Sequence, residues 1–358
     1  MIPMSVPYLY KEDKKLAIKA IKENYLAYGP QIEEFENTFA SYCGRKYGVT
    51  CNSGTSALYL AVKALKLPKN SEVILPSMSI ASLLNSVHKN DLTAIFCDID
   101  TKTWNATYKS IKDKITPNTS AIIVVDTYGL VINTDDISKI KQEYPHIKII
   151  EDAAEAHGGH HNGIKAGSIG DISTFSFYAN KIITTGEGGI VLTDDEAIYK
   201  QLLADRNINF IDRKKYIHSE LGFNFRMTNL QCCIGLGQLQ NIEKTIKNRK
   251  RIAKRYNKNL KSNKNIQLPY NGKGYDNVYW YYSVLIKSNY DKVTKALQDN
   301  DIEYRHFFYP LHKQPFINSS ETLPNSEYAA KHGLILPTFN KLTNKQIDFI
   351  SKIILEQI

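Results

Sequence analysis

Asp152 lies in the run Glu151-Asp152-Ala153-Ala154-Glu155-Ala156-His157-Gly158. Lys181 follows inside Phe175-Ser176-Phe177-Tyr178-Ala179-Asn180-Lys181-Ile182-Ile183, and Gly186, Gly188 and Gly189 close that stretch. A lysine amine whose pKa is lowered by burial and by nearby positive charge can form a Schiff base with an aldehyde and later carry a proton. Phe175, Phe177, Ile182 and Ile183 supply apolar surroundings for Lys181. A buried carboxylate at a strand end can hold a proton on an aromatic ring nitrogen through a charge-assisted hydrogen bond. Both groups are what pyridoxal phosphate (PLP) needs, since it acts as an electron sink only while its ring nitrogen stays protonated. Most lysines are solvated surface groups, so a second, independent element is required.

That element is Asn52-Ser53-Gly54-Thr55-Ser56, between the short apolar run Tyr47–Cys51 and the helical spacing of 57–65. A strand, a small-residue turn and a helix start present free backbone N–H groups and the positive end of the helix dipole, which suits a phosphate. The same residues would also serve as an N-cap with no ligand. They are not a Walker A loop, because no Gly-Lys-Ser/Thr follows.

With these motifs in place, the chain resembles the DegT/StrS-type sugar aminotransferases, PLP enzymes of fold type I. The likeness runs from Tyr28-Gly29-Pro30-Gln31 through the phosphate turn, the acidic run and the lysine segment. It continues through Gly222-Phe223-Asn224-Phe225-Arg226-Met227, Tyr309-Pro310-Leu311-His312 and Gly333-Leu334-Ile335-Leu336-Pro337. The resemblance implies Lys181 as the Schiff-base lysine and Asp152 as partner of the ring nitrogen. It implies Glu155 near the cofactor hydroxyl, with Gly54, Thr55, Ser56 and Ser176 around the phosphate. Asn224 is expected to reach the cofactor phosphate of a neighbouring subunit, which makes a homodimer with shared active sites part of the expectation. The implied reaction moves an amino group from L-glutamate, released as 2-oxoglutarate, to a keto group of a nucleotide-diphosphate sugar, with ping-pong kinetics.

Two positions depart from the family pattern. An aromatic ring usually stacks on the cofactor where this chain has Ile80, and a His is common where it has Asp126, a change expected to alter the sugar pocket. Within the family, the stretches Asn277–Ile286, Tyr304–His312 and 177–181 look most like the GDP-perosamine synthase branch. That branch aminates C4 of GDP-4-keto-6-deoxymannose for surface polysaccharide. Relatives on the same scaffold take dTDP- or UDP-linked 4-keto or 3-keto sugars. Tyr178, Tyr309 and His312 are candidate sugar contacts, though plain packing explains them equally well. PLP-dependent sugar dehydratases share the fold with His in place of the lysine, and Lys181 argues against that reading. A regulator that binds PLP without turnover is the alternative of a different class.

Composition sets outer bounds. A chain of 358 residues, 42% hydrophobic, can bury a large core and suggests two domains. No apolar run is long enough to span a bilayer, and the first residues lack the pattern of a signal peptide, so a soluble cytoplasmic protein is expected. Cys43, Cys51, Cys97, Cys232 and Cys233 show no Cys-x-x-Cys spacing and read as small buried hydrophobes. A metal at His157, His160 and His161 is not expected, because glycines adjoin them and the PLP reading already accounts for the region. The net charge of +10 raises nucleic acid as a partner. The densest basic run, 244–264, carries apolar residues at helical spacing and reads as an amphipathic helix with a solvated basic face; no nucleic-acid motif accompanies it. Gly235-Leu236-Gly237 sits within a helical pattern and lacks the rest of a dinucleotide fingerprint.

The elements that must position these residues follow from periodicity. Apolar runs at 72–75, 94–97, 121–125, 147–150, 172–175 and 189–193 read as strands. Helical patterns at 80–88, 108–114 and 134–144 lie among the first of them. Such alternation builds an α/β fold with a mostly parallel sheet and ligands at the carboxyl ends of its strands. The expected architecture is a large PLP-binding domain over 1–245 and a smaller C-terminal α+β domain over 246–358. A long helical region, 228–260, joins them, and the smaller domain has a strand at 278–286 and helices at 290–298 and 344–355.

Overall fold

The computed structural model describes residues 1–317 and 319–358. Seven strands form the central sheet: β1 (Tyr47–Cys51), β2 (Glu72–Pro76), β3 (Thr93–Cys97), β4 (Thr119–Val125), β5 (Lys148–Asp152), β6 (Ile172–Ser176) and β7 (Gly189–Thr193). Their spatial order is β1-β7-β6-β5-β4-β2-β3, and β7 alone runs opposite to the other six. Burial alternates with the two-residue period of a strand. Val73, Leu75, Ala121, Ile123 and Ile150 pack in the cluster that includes Leu58 and Leu60 of the helix Gly54–Ala64. Ile74, Ile122, Val124 and Ile149 face the opposite layer, with Ile137 and Ile140 of the helix Thr134–Glu143. Both faces are thus covered, which explains why these strands read as almost unbroken apolar runs.

A second sheet holds β8 (Ile266–Gln267), β9 (Tyr282–Ile286), β10 (Arg305–His306) and β11 (Gly333–Leu336) in the antiparallel order β8-β9-β11-β10. The helices Ile242–Leu260, Tyr290–Asp299 and Asn344–Leu355 back it through Tyr256, Leu297 and Ile350. The extreme N-terminus joins this part of the molecule: Ile2 bridges to Ile302, and the Met4 amide donates to Glu303 at 2.7 Å.

Several sequence expectations change in detail. The strand expected from Val278 begins only at Tyr282, because the chain turns at 277–279. There the Tyr279 amide donates to Asn277 Oδ1 at 2.7 Å and Tyr279 takes a left-handed φ of 50°. The long helical region is two helices, Asn229–Gln240 and Ile242–Leu260, that break at Asn241. Gly237 in the first of them allows contact with a helix the periodicity does not reveal, Lys11–Lys22. A Cβ at Gly237 would lie 2.6 Å from the Asp13 backbone nitrogen. The helices Gln31–Cys43, Glu196–Asp205 and Pro324–His332 are likewise additions.

The basic helix is less solvated than its composition suggests. Arg249 is buried and donates to the Thr338 carbonyl, Arg251 donates to the Leu342 carbonyl at 2.8 Å, and Lys250 pairs with Asp276 at 2.6 Å. All five cysteines are buried free thiols. Among the described residues, no helix is long and apolar enough to cross a membrane.

Candidate active site

A cavity of about 360 Å³ lies where strand ends of the central sheet meet the second sheet; Asp152, Lys181, Thr55 and Ser176 line one side, and Trp280 and Arg305 the other. Its volume is in the range of a cofactor site.

Asp152 is the last residue of β5 and is buried. One carboxylate oxygen accepts from the Ala154 amide at 3.1 Å. Burial pushes its pKa up to about 6, while the Ala154 N–H and the Lys181 charge pull it down. A carboxylate in this position gains from a cationic partner.

Lys181 lies on the loop joining β6 to β7. The Phe177 amide donates to the Gly188 carbonyl at 2.8 Å, and the Thr185 amide donates to the Phe177 carbonyl at 3.0 Å, so the loop is closed at its base. The Lys181 amine stands 3.6 Å from Glu155 Oε1 and 3.7 Å from the centroid of the Trp280 ring. Burial lowers its pKa; Glu155 and Asp152 oppose the shift, and the Arg305 charge reinforces it. Glu155 is itself pushed up to about 7 by burial, against the opposing effects of Lys181 and the Tyr128 amide. Tyr128 holds a left-handed backbone (φ 54°, ψ 22°), a conformation that strains a non-glycine residue. In it, the Tyr128 amide donates to Glu155 Oε2 at 2.8 Å, and its phenol oxygen accepts from the Phe308 amide at 3.1 Å. Tyr128 therefore ties the second sheet's segment to the carboxylate beside the lysine.

The phosphate turn forms as its residues suggest. Ser53 caps the helix Gly54–Ala64, its Oγ accepting from the Ser56 amide at 3.1 Å. The Gly54 and Thr55 amides find no hydrogen-bond partner among the described residues. Gly54 is required here: a Cβ would sit 2.7 Å from the Ser176 Cβ. That close approach brings the Ser176 hydroxyl beside the helix start.

The structure gathers Gly54, Thr55, Ile80, Asp152, Glu155, Ser176, Tyr178 and Lys181 in one cavity and leaves other candidates outside its lining. Ser56 turns inward, and its Oγ donates to Asn52 Oδ1 at 2.7 Å. Asn224 is exposed on the 206–226 segment, and Tyr309 is exposed away from the cavity wall. His312 is fully buried, with Nδ1 2.6 Å from Ser77 Oγ and Nε2 3.1 Å from Glu327 Oε1. In this structure it fixes Ser77, three residues before Ile80, and is not among the cavity-lining residues. Ile80 is 50% exposed in the cavity wall and offers an apolar surface where the family has a ring. Asp126, where a change to the sugar pocket was expected, does not line the cavity. It is fully buried, its Oδ1 accepts from the Ile132 amide at 2.8 Å, and its own amide donates to the Asp152 carbonyl at 3.1 Å. Burial and the Glu151 charge hold its carboxyl well above the usual range.

Trp280, Arg305, Phe308 and Tyr128 are the contributors that motif reading passes over. Trp280 Nε1 donates to the Asn180 carbonyl at 3.0 Å, which locks the indole against the lysine loop. The aromatic concentration of Tyr279-Trp280-Tyr281-Tyr282 was the available signal.

A buried lysine, a strand-end carboxylate and an open helix start in one cavity define the cofactor site of a PLP-dependent enzyme. The chain belongs to the DegT/DnrJ/EryC1/StrS aminotransferase family, whose pattern matches residues 7–355. It is 34% identical to a GDP-perosamine synthase of Escherichia coli O157:H7, covering 99% of this chain and 98% of that protein. It is 35% identical to a GDP-perosamine synthase of Caulobacter vibrioides, covering 97% and 95%. Among solved structures, the aminotransferase TlmJ from Streptoalloteichus hindustanus superposes with a TM-score of 0.95 at 25% identity, over 100% of this chain and 98% of that one.

The cofactor is pyridoxal phosphate, and the residues present fit it. The free amides at the helix start, with the Thr55 and Ser176 hydroxyls beside them, suit a phosphate; the buried Asp152 carboxylate suits a cationic ring nitrogen, and the buried Lys181 amine of lowered pKa lines the same cavity.

Proposed function

We propose that this chain transfers an amino group from L-glutamate to C4 of GDP-4-keto-6-deoxymannose, forming GDP-perosamine for surface polysaccharide. The observation that carries the aminotransferase reading is the buried Lys181 amine, held in one cavity with Asp152 and the open start of the helix Gly54–Ala64. Support for the sugar comes from the relatives named GDP-perosamine synthase, which match this chain along nearly its whole length.

Bound PLP supplies the electron sink that lets a proton leave the donor's α-carbon. Asp152 holds the ring-nitrogen proton through its carboxylate. Thr55, Ser176 and the Gly54 and Thr55 amides hold the phosphate, with Ser56 shaping the turn beneath them. Glu155 would stand beside the ring hydroxyl, and Ile80 would offer an apolar surface to the ring. Lys181 Nζ accepts the α-proton from the donor and returns a proton to the product. Residues 1–245 act as the cofactor-binding unit, and 246–358 as the unit that brings Arg305 and Trp280 over it.

The assembly in this reading is a homodimer. The 206–226 segment exposes Ile211, Tyr216, Leu221 and Phe223, the last beside Asn224, and a second copy would cover that apolar surface and receive Asn224 at its own phosphate site. Tyr178, at the cavity wall, is the retained sugar contact. The compartment that fits this chemistry is the cytoplasm.

The deciding experiment incubates the purified protein with PLP, L-glutamate and a panel of GDP-, dTDP- and UDP-keto sugars, with product identified by mass and NMR. GDP-perosamine is the expected product, and Lys181→Ala should yield none at steady state. An amino sugar formed only from a dTDP or UDP substrate would retain the reaction class and remove the GDP assignment.

A further inference from the structure

We propose that one buried water, held by Ser5, Asn180, Arg249 and Asn340, fixes the loop that carries Lys181 and makes the N-terminal segment part of that lysine's support. The catalytic value of the support rests on the aminotransferase reading above.

A second, smaller cavity adjoins the lysine loop, and Asn180 and Lys181 line both it and the cofactor cavity. Its walls bring together the N-terminal segment 5–8, the helix Ile242–Leu260 and Asn340. It leaves about 10 Å³ for the centre of a water molecule, where about 10–15 Å³ holds one. Four of its lining residues carry a buried polar atom with no hydrogen-bond partner among the described residues: Ser5 Oγ, Asn180 Oδ1, Arg249 Nε and Asn340 Oδ1. Buried polar atoms left unpaired are costly, so convergence on one small space points to a ligand there.

The inventory of these atoms identifies the ligand. Two are acceptors, one is a donor and one is a hydroxyl that serves as either. A water donates twice and accepts twice, so it can donate to both Asn oxygens while accepting from Arg249 Nε and the Ser5 hydroxyl. An anion would meet the two amide oxygens, and a cation would meet the guanidinium. The Tyr281 hydroxyl, also unpartnered and beside Ser5 and Asn180, can donate to Ser5 Oγ and leave the Ser5 hydrogen for the water. Arg249 has the greatest need of it. Burial lowers its pKa to about 10, which leaves it charged, and the Thr338 carbonyl is its one hydrogen-bond partner among the described residues. A buried cation is tolerated only when its donors are satisfied.

The water would hold the residue immediately before Lys181. The Asn180 carbonyl already accepts from Trp280 Nε1 at 3.0 Å, and the Thr184 amide donates to Gln238 Oε1 at 3.4 Å. Gln238 Nε2 donates in turn to the Tyr8 carbonyl at 2.9 Å, which keeps segment 5–8 in place as a cavity wall. The Asn180 side chain is the remaining point of attachment, and the water ties it to three distant parts of the chain.

The test compares Ser5→Thr with Ser5→Val, side chains of one shape that differ by a hydroxyl. A high-resolution crystal structure of the PLP-loaded wild type should show one water bonded to Asn180 Oδ1 and Arg249 Nε. The Lys181 and Thr185 amides are hydrogen-bonded within the loop. Their hydrogen exchange should be about 3- to 10-fold faster in Ser5→Val, the effect of losing roughly one hydrogen bond, and within about twofold of wild type in Ser5→Thr. Reaction of the PLP-loaded enzyme with glutamate, followed by loss of the visible absorbance, should slow by a similar factor in Ser5→Val alone. Asn340→Leu removes a different hold on the same water; the double variant with Ser5→Val should exceed either single effect by less than about twofold. A dry cavity, equal exchange in the Thr and Val variants, an unslowed reaction in Ser5→Val, or multiplying effects in the double variant overturns the proposal. Exchange is also read on the cofactor-free protein. A wild type that fails to react with glutamate therefore removes the aminotransferase reading and leaves the water and its hold on the loop under test, whereas a dry cavity leaves the reaction class standing.

Discussion

Asp152 shows how a single side chain can be placed for a ligand at the expense of the free protein. Its pKa rises from the ordinary 3.8 to about 6 because burial disfavours the carboxylate. A folded-state pKa above the unfolded value gives stability that is fully present below about pH 4 and lost as pH rises through about 6. At pH 8 the cofactor-free protein therefore carries a penalty that Asn at this position would remove. A shift of about two units, already net of the Ala154 hydrogen bond, corresponds to about 3 kcal/mol. We expect cofactor-free Asp152→Asn to be about 1–3 kcal/mol more stable than wild type at pH 8, with the gain gone by pH 4, while its PLP affinity falls. Denaturant melts of both proteins at the two pH values check this, and equal stability at pH 8 would contradict it. Residues of this kind were legible in the sequence because the chemistry dictates their type: a carboxylate after a β-branched run and a lysine among aromatics. Trp280 and Arg305 were not, since nothing local in 278–306 records that this segment faces Lys181.

Elements were legible where burial is two-sided and the apolar run is unbroken, as in β2, β4 and β5. Helices at the rim escaped because their packing depends on distant partners. Lys11–Lys22 has only a few apolar positions and lies against the helix Asn229–Gln240 through Gly237. Alanine at an ordinary helical glycine is favourable by up to about 1 kcal/mol. At Gly237 the added Cβ would meet the backbone of Asp13, and overpacking of this sort costs about 1–3 kcal/mol. Gly237→Ala should therefore lower stability and loosen the N-terminal helix; hydrogen exchange localised to residues 11–22 reads the effect, and unchanged protection there would show that the contact is not limiting. The break at Asn241 and the late start of β9 have a similar origin. Asn241 and Asn277 make local side-chain hydrogen bonds that compete with the regular backbone pattern.

The whole molecule poses a question about symmetry, because Asn224 lies outside the lining of the cavity in its own chain. If it completes the partner's phosphate site, Lys181→Ala and Asn224→Ala subunits are each inactive or impaired alone, yet a mixed dimer holds one intact site. Random mixing makes half the dimers mixed, so on the order of a quarter of wild-type activity should return. Verified mixed dimers that regain nothing would place Asn224 in another role. The α/β class followed from element order, whereas the second sheet's contact with the lysine loop rests on long-range packing that no periodicity encodes.

The closed base of the loop between β6 and β7 has a kinetic meaning. Phe177 and Gly188 are fastened to each other, so the Lys181 amine is a reagent on a short leash between two immobile posts. Such tethering raises the local effective molarity of a reactive group by orders of magnitude. A lysine held this way would compete well against dissolved amines for a bound aldehyde, so the loop's closed base would help keep the cofactor attached from one turnover to the next.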